Sequence, residues 1–240
     1  MSEVKLLTLN GLPLEGDRRL IPSRTTADGT AGKLWLDRDG AVITKSWKQA
    51  LLDAGRCFTF TVGTLSTAIV GGGNGTILDL DQPEFLLSVP TGTAIKLLRV
   101  AVQTNGPDAI TDKDVTQILL CLDRASAWNK DGTYTTEVAY NLNTGSSLAS
   151  ACSCASAFTA DMLASSGSDT VHYIDLARVE TKAEVAANGT AIAQASMLYE
   201  PDPCPTIVGP ALVTGYWGGT AAVSGYAQIF WAEFTKAEVT

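Results

Sequence analysis

Near the end of its first quarter the chain reads Cys57-Phe58-Thr59-Phe60-Thr61-Val62, in which apolar side chains alternate with threonine. Successive side chains of a β-strand point to opposite faces of a sheet, so a period of two is typical of a strand with one buried face. Threonine and phenylalanine also favour strands over helices. The stretch therefore predicts a β-strand at the start of a β-rich region.

Further apolar or alternating runs along the chain are bounded by turn residues, the second signal of strands. These runs are Ile77–Leu80, Phe85–Val89, Ala94–Gln103, Val115–Leu122, Thr133–Tyr140, Val171–Val179, Ala191–Tyr199 and Tyr226–Phe234. Asn-Gly, Asp-Gly and proline-containing turns separate these runs. The sequence shows no repeat of fixed period, which argues against a propeller or solenoid. The pattern predicts an all-β protein built as an antiparallel β-sandwich.

Residues 1–45 differ from the rest of the chain. A short apolar stretch precedes a turn-rich segment, Asn10–Gly32, with prolines, arginines and several glycines. Such a segment buries little apolar surface alone, so we predict an extended N-terminal arm that orders against a neighbouring subunit, or a loop-rich lead-in. Within 1–45, Leu34-Trp35-Leu36 and Ala41-Val42-Ile43 flank the turn Asp39-Gly40 and predict a hairpin.

A helix is the best interpretation of the segment that follows the arm. Ser46 is placed to cap it and Gly55 to end it, two to three turns later. A strand that continues through Trp47 is the alternative. We therefore divide the chain into an arm and hairpin over 1–45 and a sandwich domain over 46–240.

Longer loops lie between the predicted strands. The segment 141–168 is rich in Ser, Ala and Gly, and we expect a short helix near Ala157–Leu163. Residues 200–205 contain three prolines, which cannot donate to a sheet ladder, so they predict a stiff loop. The Asn-Gly-Thr sequences at Asn74 and Asn188 are read as turns.

The composition is typical of an assembly subunit. The 240 residues are 45% hydrophobic and only 18% charged, below the usual quarter. Such a chain buries more surface than a typical monomer, or covers its surface with uncharged polar groups. The sequence lacks a charged start followed by an apolar run, so we expect no signal peptide. No apolar stretch approaches the length of a membrane span, so we expect none.

The charge balance argues against direct contact with nucleic acid. The formal net charge is −8, and the sequence has no basic run. Proteins that bind nucleic acid directly neutralise phosphates with Lys and Arg. We therefore expect this chain to face solvent or neighbouring subunits rather than a genome.

Few residues are candidates for catalysis. The one histidine, His172, lies in a predicted strand, and the sequence has no Gly-x-Ser-x-Gly nucleophile motif. The 25 acidic residues are scattered, so nothing singles out the facing carboxylate pair of a glycosidase. The glycine loop 71–75 lacks the Lys-Ser/Thr ending of a phosphate cradle. We predict no catalytic and no cofactor-binding residue, and hence no enzyme.

Metal binding is predicted to be absent as well. The pairs Asp37/Asp39 and Asp79/Asp81, and the turn Asn129–Gly132, place oxygen ligands at short spacing. They lack the further ligands of a calcium loop, and Asx side chains are common in turns because they bond the local backbone. We interpret all three as turns, with calcium as the alternative.

Five cysteines occur at irregular spacing: Cys57, Cys121, Cys152, Cys154 and Cys204. Cys152 and Cys154 are too close in one strand for an easy disulfide. A zinc site would need a second pair of ligands at matching spacing, and only Cys204 and His172 remain. We predict reduced thiols that pack as small hydrophobic side chains.

Aromatic residues concentrate near the C-terminus. In Tyr226–Phe234 one strand face carries Tyr226, Phe230 and Phe234, and the other carries Ile229 and Trp231. This pattern predicts a strand that is buried on both sides, or one whose outer face a second subunit covers. A carbohydrate-binding platform is the functional alternative.

The order of these segments resembles phage-encoded, capsid-associated jelly-roll proteins. The similarity spans about residues 40–125 and the β-rich remainder. Its segments are Trp-Lys-Gln-Ala-Leu-Leu-Asp-Ala-Gly-Arg-Cys-Phe (47–58), Phe-Leu-Leu-Ser-Val-Pro-Thr-Gly-Thr (85–93) and Leu-Leu-Arg-Val (97–100). The chain is too short for two such domains, so the resemblance implies a single jelly-roll-like antiparallel β-sandwich with an extended N-terminal arm.

The resemblance implies a virion structural protein: a capsid shell subunit, or a decoration (cement) subunit on another lattice. The expected partners are copies of the chain, as a trimer or pentamer, and other capsid proteins. We expect apolar residues of the arm and the aromatic residues to form the subunit contacts. The candidate contact residues are Leu6, Leu7, Trp35, Trp47, Trp217 and Trp231. The alternative function is a carbohydrate- or receptor-binding β-sandwich module of a phage tail or spike.

Overall fold

The alternating stretch that begins the β-rich region forms the strand Cys57–Val62 in the computed structural model of the chain. The structure describes residues 5–7, 13–18, 34–36, 46–71, 78–80, 82–105, 115–123, 133–159, 173–182, 194–219 and 223–239. Residues 5–7, 13–18, 34–36 and 173 are described by their backbone only.

The described secondary structure is dominated by strands. In chain order these are β1 (Lys5–Leu7), β2 (Pro13–Arg18), β3 (Leu34–Leu36), β4 (Cys57–Val62), β5 (Ile69–Val70), β6 (Phe85–Val89), β7 (Thr93–Asn105), β8 (Val115–Asp123), β9 (Thr135–Glu137), β10 (Tyr140–Asn141), β11 (Ser153–Ser156), β12 (Tyr173–Lys182), β13 (Ser196–Tyr199), β14 (Thr206–Val208), β15 (Ala211–Gly219) and β16 (Ser224–Thr235). One helix, α1 (Trp47–Asp53), precedes β4, and a single 3₁₀ turn, Lys236–Glu238, follows β16.

The chain divides into two compact units, Met1–Ala54 and Gly55–Thr240. In the first unit β2 pairs antiparallel with β1 and parallel with β3. The predicted helix is confirmed as α1, since the Ser46 hydroxyl accepts a hydrogen bond from the backbone N–H of Gln49 at 3.2 Å. The chain leaves the helix through Gly55 at a φ of +71°, a conformation that favours glycine.

Two expectations for the N-terminal region are corrected. Pro13–Arg18 is a strand, although it lies in the segment predicted to be turn-rich. Proline is tolerated there because it is the first residue of the strand. Leu34–Leu36 is a strand as predicted, but its partner is β2. The expected turn and return strand, residues 37–43, lie outside the described residues.

The second unit is a sandwich of two sheets whose described strand pairs are antiparallel. One sheet has the order β10-β4-β16-β7-β13, with β14 also on β7 and β5 also on β16. The other has the order β12-β8-β15-β6-β11-β9. This arrangement confirms the antiparallel β-sandwich predicted from the sequence.

The long strands of the sandwich pair in a regular pattern. We count β13 and β14 as one position because both pair with β7. The described long strands then take positions 1 to 8 in the order β4, β6, β7, β8, β12, β13/β14, β15 and β16. Position 1 pairs with 8, 2 with 7, 3 with 6 and 4 with 5. A long antiparallel ribbon that wraps into two sheets has this pairing, which is compatible with the jelly-roll form of the sandwich.

The connection between β8 and β12 extends both sheets at one edge. Within it, β10 pairs with β4 of the first sheet, whereas β11 pairs with β6 of the second. The single strand predicted over Thr133–Tyr140 is therefore wrong: the chain forms β9, breaks at residues 138–139, and joins the other sheet as β10. The helix expected near Ala157 does not begin there, since Ala157 has a φ of +52°.

Large aromatic side chains fill the space between the sheets. The Phe60 ring lies 5.8 Å from Trp231 and 6.2 Å from Phe85, and Phe85 lies 6.4 Å from Trp217, between ring centroids. All four side chains are fully buried. Buried aromatic groups of this size each remove a large apolar area from water and dominate the stability of a core.

Part of the outer face of the β12-containing sheet is also buried. Its outward side chains Leu86, Leu119 and Tyr216 form a second buried cluster with residues of the segments 78–80 and 157–159. The Tyr216 hydroxyl donates a hydrogen bond of 3.0 Å to the backbone oxygen of Leu80. Leu78–Leu80 is not a strand, contrary to the prediction. The segment instead covers the sheet.

Candidate binding groove

Two of the predicted subunit contacts are core residues. The side chains of Trp217 and Trp231 are 0% exposed and belong to the cluster between the sheets. The Trp217 indole N–H donates to the backbone oxygen of Ile69 at 3.0 Å, and the Trp231 indole N–H donates to Glu233 at 2.8 Å. A neighbouring subunit cannot reach either side chain, so the prediction is wrong for both. Sequence reasoning could not tell which face of the strand that carries Trp231 points inward, and it did not predict β15, the strand that carries Trp217.

The other predicted contacts remain predictions. Trp47 is the first residue of α1, and its side chain is 46% exposed, with the Lys48 ammonium 5.7 Å from the ring centroid. Leu6 and Leu7 lie in β1, and Trp35 lies in β3. The description of those two strands does not extend to their side chains. Of the six predicted contact residues, Trp217 and Trp231 are therefore corrected, and Leu6, Leu7, Trp35 and Trp47 stay predictions.

The candidate metal and catalytic residues fall largely outside the described ranges. His172, the Asp37/Asp39 pair, Asp81 and the turn Asn129–Gly132 are among them. Within the described part of the chain, no three His, Cys, Asp or Glu side chains come together in a way that could hold a metal ion.

Four of the five thiols are buried, as the sequence predicts. Desolvation raises the pKa of Cys57 to about 11 and those of Cys121 and Cys154 to about 12. The pKa of Cys152 is raised further by desolvation and then by the nearby carboxylate of Glu233. These thiols stay protonated, so they pack as apolar side chains and are poor nucleophiles.

A groove of about 480 Å³ lies on the outer face of the sheet that contains β16. Cross-strand rows of side chains build it. One row runs Thr61, Gln228, Ala101 and Leu198, and the next runs Tyr226, Gln103 and Ser196. Residues two apart on a strand share a face, so these side chains all point away from the core. Ala101 is the smallest member of its row, and it forms the floor because the neighbouring side chains rise above it.

A strongly exposed loop residue and an ion pair border the groove. Leu65, in the loop after β4, is 79% exposed, and Leu198 on β13 is 60% exposed. Arg99 lies with its guanidinium 5.9 Å from the Phe230 ring centroid, and its Nε is 3.3 Å from a Glu200 oxygen. Glu200 therefore balances the charge of Arg99, the one cation among the described lining residues.

Polar groups converge on one side of the groove. The Tyr226 hydroxyl donates a hydrogen bond of 2.5 Å to Oε1 of Gln103. This bond fixes the rotamer of both side chains and orients the Gln103 amide N–H groups as donors. Sequence reasoning named Tyr226 as part of the apolar C-terminal strand, with a carbohydrate-binding platform as the alternative. Nothing in the sequence marks Gln103 and Ala101 as groove residues. Only the register of β7 against β16 places them beside Tyr226 and Gln228.

A smaller pocket, of about 220 Å³, lies where β16 meets the segment 148–152. Glu233, 9% exposed, accepts hydrogen bonds there from the Ser150 hydroxyl, from the Ala151 backbone N–H at 2.9 Å and from the Trp231 indole. These three donors satisfy the carboxylate. The arrangement anchors the 148–152 segment to the sandwich, since a buried carboxylate needs such partners.

Comparisons with known proteins add no identification. No family model matches this chain, and neither the curated proteins nor the solved structures give a match. No helix within the described ranges is long and apolar enough to cross a membrane.

Proposed function

We propose that this chain is a virion structural protein, a phage capsid shell or decoration subunit that assembles through its arm and its sheets. Two observations support the proposal. The segments at 47–58, 85–93 and 97–100 resemble capsid-associated jelly-roll proteins. The sandwich is antiparallel, and its pairing of strand positions 1 with 8 through 4 with 5 is compatible with a jelly roll.

The observation that carries the proposal is an uncharged edge of the sandwich. The segment between Glu137 and Asp161 contains no charged residue, although the chain has a net charge of −8. Val138, Tyr140 and Leu148, all in this segment, are more than half exposed. Copies of an acidic protein repel one another, so they associate best where the surface is apolar and uncharged. We define the described part of this segment, residues 138–159, as the edge surface.

The N-terminal residues supply the second element of the proposed assembly. Met1–Ala54 forms a unit of its own, with strands β1, β2 and β3. An arm that extends from a sandwich clasps a neighbouring subunit by adding strands or apolar contacts to it. The proposed partners are copies of the chain, as a trimer or pentamer, together with other capsid proteins. The proposed location is the virion.

Light scattering after size exclusion tests the proposal on the full chain. We expect a trimer or pentamer, and we expect closed particles or lattice pieces in micrographs of a shell subunit. A charge placed in the edge surface by Leu148→Glu should lower the oligomer mass. The matched control is Ile174→Glu, an exposed apolar residue on β12 at the opposite side of its sheet. A chain that is monomeric at every concentration contradicts the proposal.

One observation favours the alternative function. The groove on the outer face of the β16 sheet has a size and a set of polar groups suited to a small ligand. A carbohydrate- or receptor-binding module would use such a groove.

A further inference from the structure

We propose that the groove built by β4, β16, β7 and β13 is a binding site for a neutral saccharide chain. This inference goes beyond the proposed assembly function and does not depend on it, but it rests on the alternative binding function and names its class of ligand. The groove lies on the sheet face of the sandwich, whereas the proposed edge surface lies in the connection between β8 and β12.

The groove has the dimensions and lining of a ligand site. Its volume of about 480 Å³ falls within the range of about 300–1,000 Å³ that is typical of small-molecule sites. Such sites are mostly apolar, with a few polar groups that orient the ligand. Here Ala101 and Leu198 supply the apolar floor, and Gln103, Gln228 and Tyr226 supply the polar groups.

The charge of the lining favours a neutral ligand. Among the lining residues that the structure describes, Arg99 is the one that carries a charge, and Glu200 balances it at 3.3 Å. An anionic ligand would meet the repulsion of a chain with a net charge of −8. A cationic ligand would find no carboxylate in the described part of the lining. An uncharged ligand meets neither penalty.

The hydrogen-bonding groups match hydroxyl groups. A sugar hydroxyl both donates and accepts, and an amide or hydroxyl side chain does the same. Tyr226 donates to Gln103 Oε1, so the Gln103 amide N–H groups are oriented as donors, and the Tyr226 oxygen keeps acceptor capacity. Gln228 lies in the adjacent row, with the hydroxyl of Thr61 beside it. These groups lie at the rim of the apolar floor.

The apolar floor of the groove suits the C–H faces of a sugar ring. A pyranose carries hydroxyls around its rim and C–H groups on its faces. Ala101 and Leu198 are cross-strand neighbours, so their apolar surfaces form one continuous strip beside the amides. The strip receives the C–H face while the amides receive the hydroxyls.

Binding of defined sugars to the full chain tests the inference. The probes are cellohexaose, xylohexaose, mannohexaose and chitohexaose, titrated calorimetrically, with a broader glycan array as the first screen. We expect binding of at least one neutral glycan. Gln103→Ala and Tyr226→Ala should each weaken it about tenfold, the loss that corresponds to one or two hydrogen bonds. Tyr226→Phe, which removes only the hydroxyl, should weaken it less than Tyr226→Ala.

The matched control is Gln117→Ala. Gln117 also lies on a long strand, but it belongs to the other sheet and hydrogen-bonds to Glu180. An equal loss in this variant, or no binding on the array and with all four probes, overturns the inference. If a second copy covers the groove instead, Leu198→Glu will lower the oligomer mass, and that result also overturns it. If the chain is monomeric and binds a glycan, that result supports this inference and contradicts the proposed assembly.

Discussion

Replacement of Gly215 by alanine should disturb the centre of the sandwich. Gly215 lies on β15 directly opposite Phe85 on β6. A Cβ atom at position 215 would overlap the Phe85 ring at its Cε1 and Cζ atoms. The ring cannot move away easily, because it is 0% exposed and packs between Phe60 and Trp217. Alanine at 215 must therefore shift either the ring or the strand.

The size of the effect follows from two opposing terms. Overpacking of a close-packed core costs about 1–3 kcal/mol, and a ring held on both sides places this site near the upper end. Alanine in place of glycine recovers about 0.5–1 kcal/mol by restricting the unfolded chain. The expected net loss is about 2 kcal/mol in the free energy of unfolding.

Urea unfolding of Gly215→Ala, monitored by tryptophan fluorescence, measures this loss as a lower midpoint at an unchanged slope. The control is Gly145→Ala, where the nearest atom to a Cβ is Asn143 Oδ1 at 3.5 Å and nothing is displaced. Phe85→Leu in the Gly215→Ala background shortens the obstructing side chain, so the double variant should lose less than the sum of the single variants. Wild-type stability of Gly215→Ala, or strict additivity, would refute the steric argument.

Three further predictions concern titratable groups. Hydrogen bonds from Arg56 hold the pKa of Glu238 at about 2, below its usual 4.5. The ionised carboxylate therefore stabilises the folded state fully above pH 4.5, and this stabilisation is lost as the pH falls through about 2. Since this pair is partly exposed, Glu238→Gln should remove about 1 kcal/mol or less from the unfolding free energy at pH 7, and nearly nothing below pH 2. Glu233→Ala should cost about 2–4 kcal/mol in the same urea assay because three donors lose their acceptor, and Glu233→Gln should cost less. Ellman's reagent should modify the half-buried Cys204 first in the native protein and should reach Cys152 only on unfolding, as mass spectrometry of the labelled peptides will show.

Side-chain periodicity and turn residues predicted most of the long strands of the sandwich. Period two and the flanking turns predicted β4, β6, β7, β8, β12 and β16, and all six are strands. The strand β15 was missed. It is buried at all nine positions and contains three glycines, so it neither alternates nor shows high strand propensity. Its stability comes from neighbours on both sides and on both faces, which no local window reveals.

The candidate groove shows what side-chain alternation in the sequence cannot predict. The alternation of Tyr226 and Phe230 with Ile229 and Trp231 was readable, but both faces of the strand looked apolar. The structure turns Ile229 and Trp231 into the core and leaves Tyr226 and Phe230 half-exposed. Trp231 therefore stabilises the sandwich, and Tyr226 becomes available to a ligand.

The sequence by itself determined the strands β4, β6, β7, β8, β12 and β16, where α1 begins and that the chain folds as an antiparallel sandwich, because dihedral preferences and side-chain periodicity act over a few residues. The tertiary structure alone decided which strands pair, which face turns inward and which residues of distant segments share a groove. Pairing of β4 with β16 joins residues about 170 positions apart, as in the Thr59 bond to the Ile229 oxygen. Such long-range registers are chosen by the burial of the whole core, since a slip of one residue would turn every buried side chain of a strand outward.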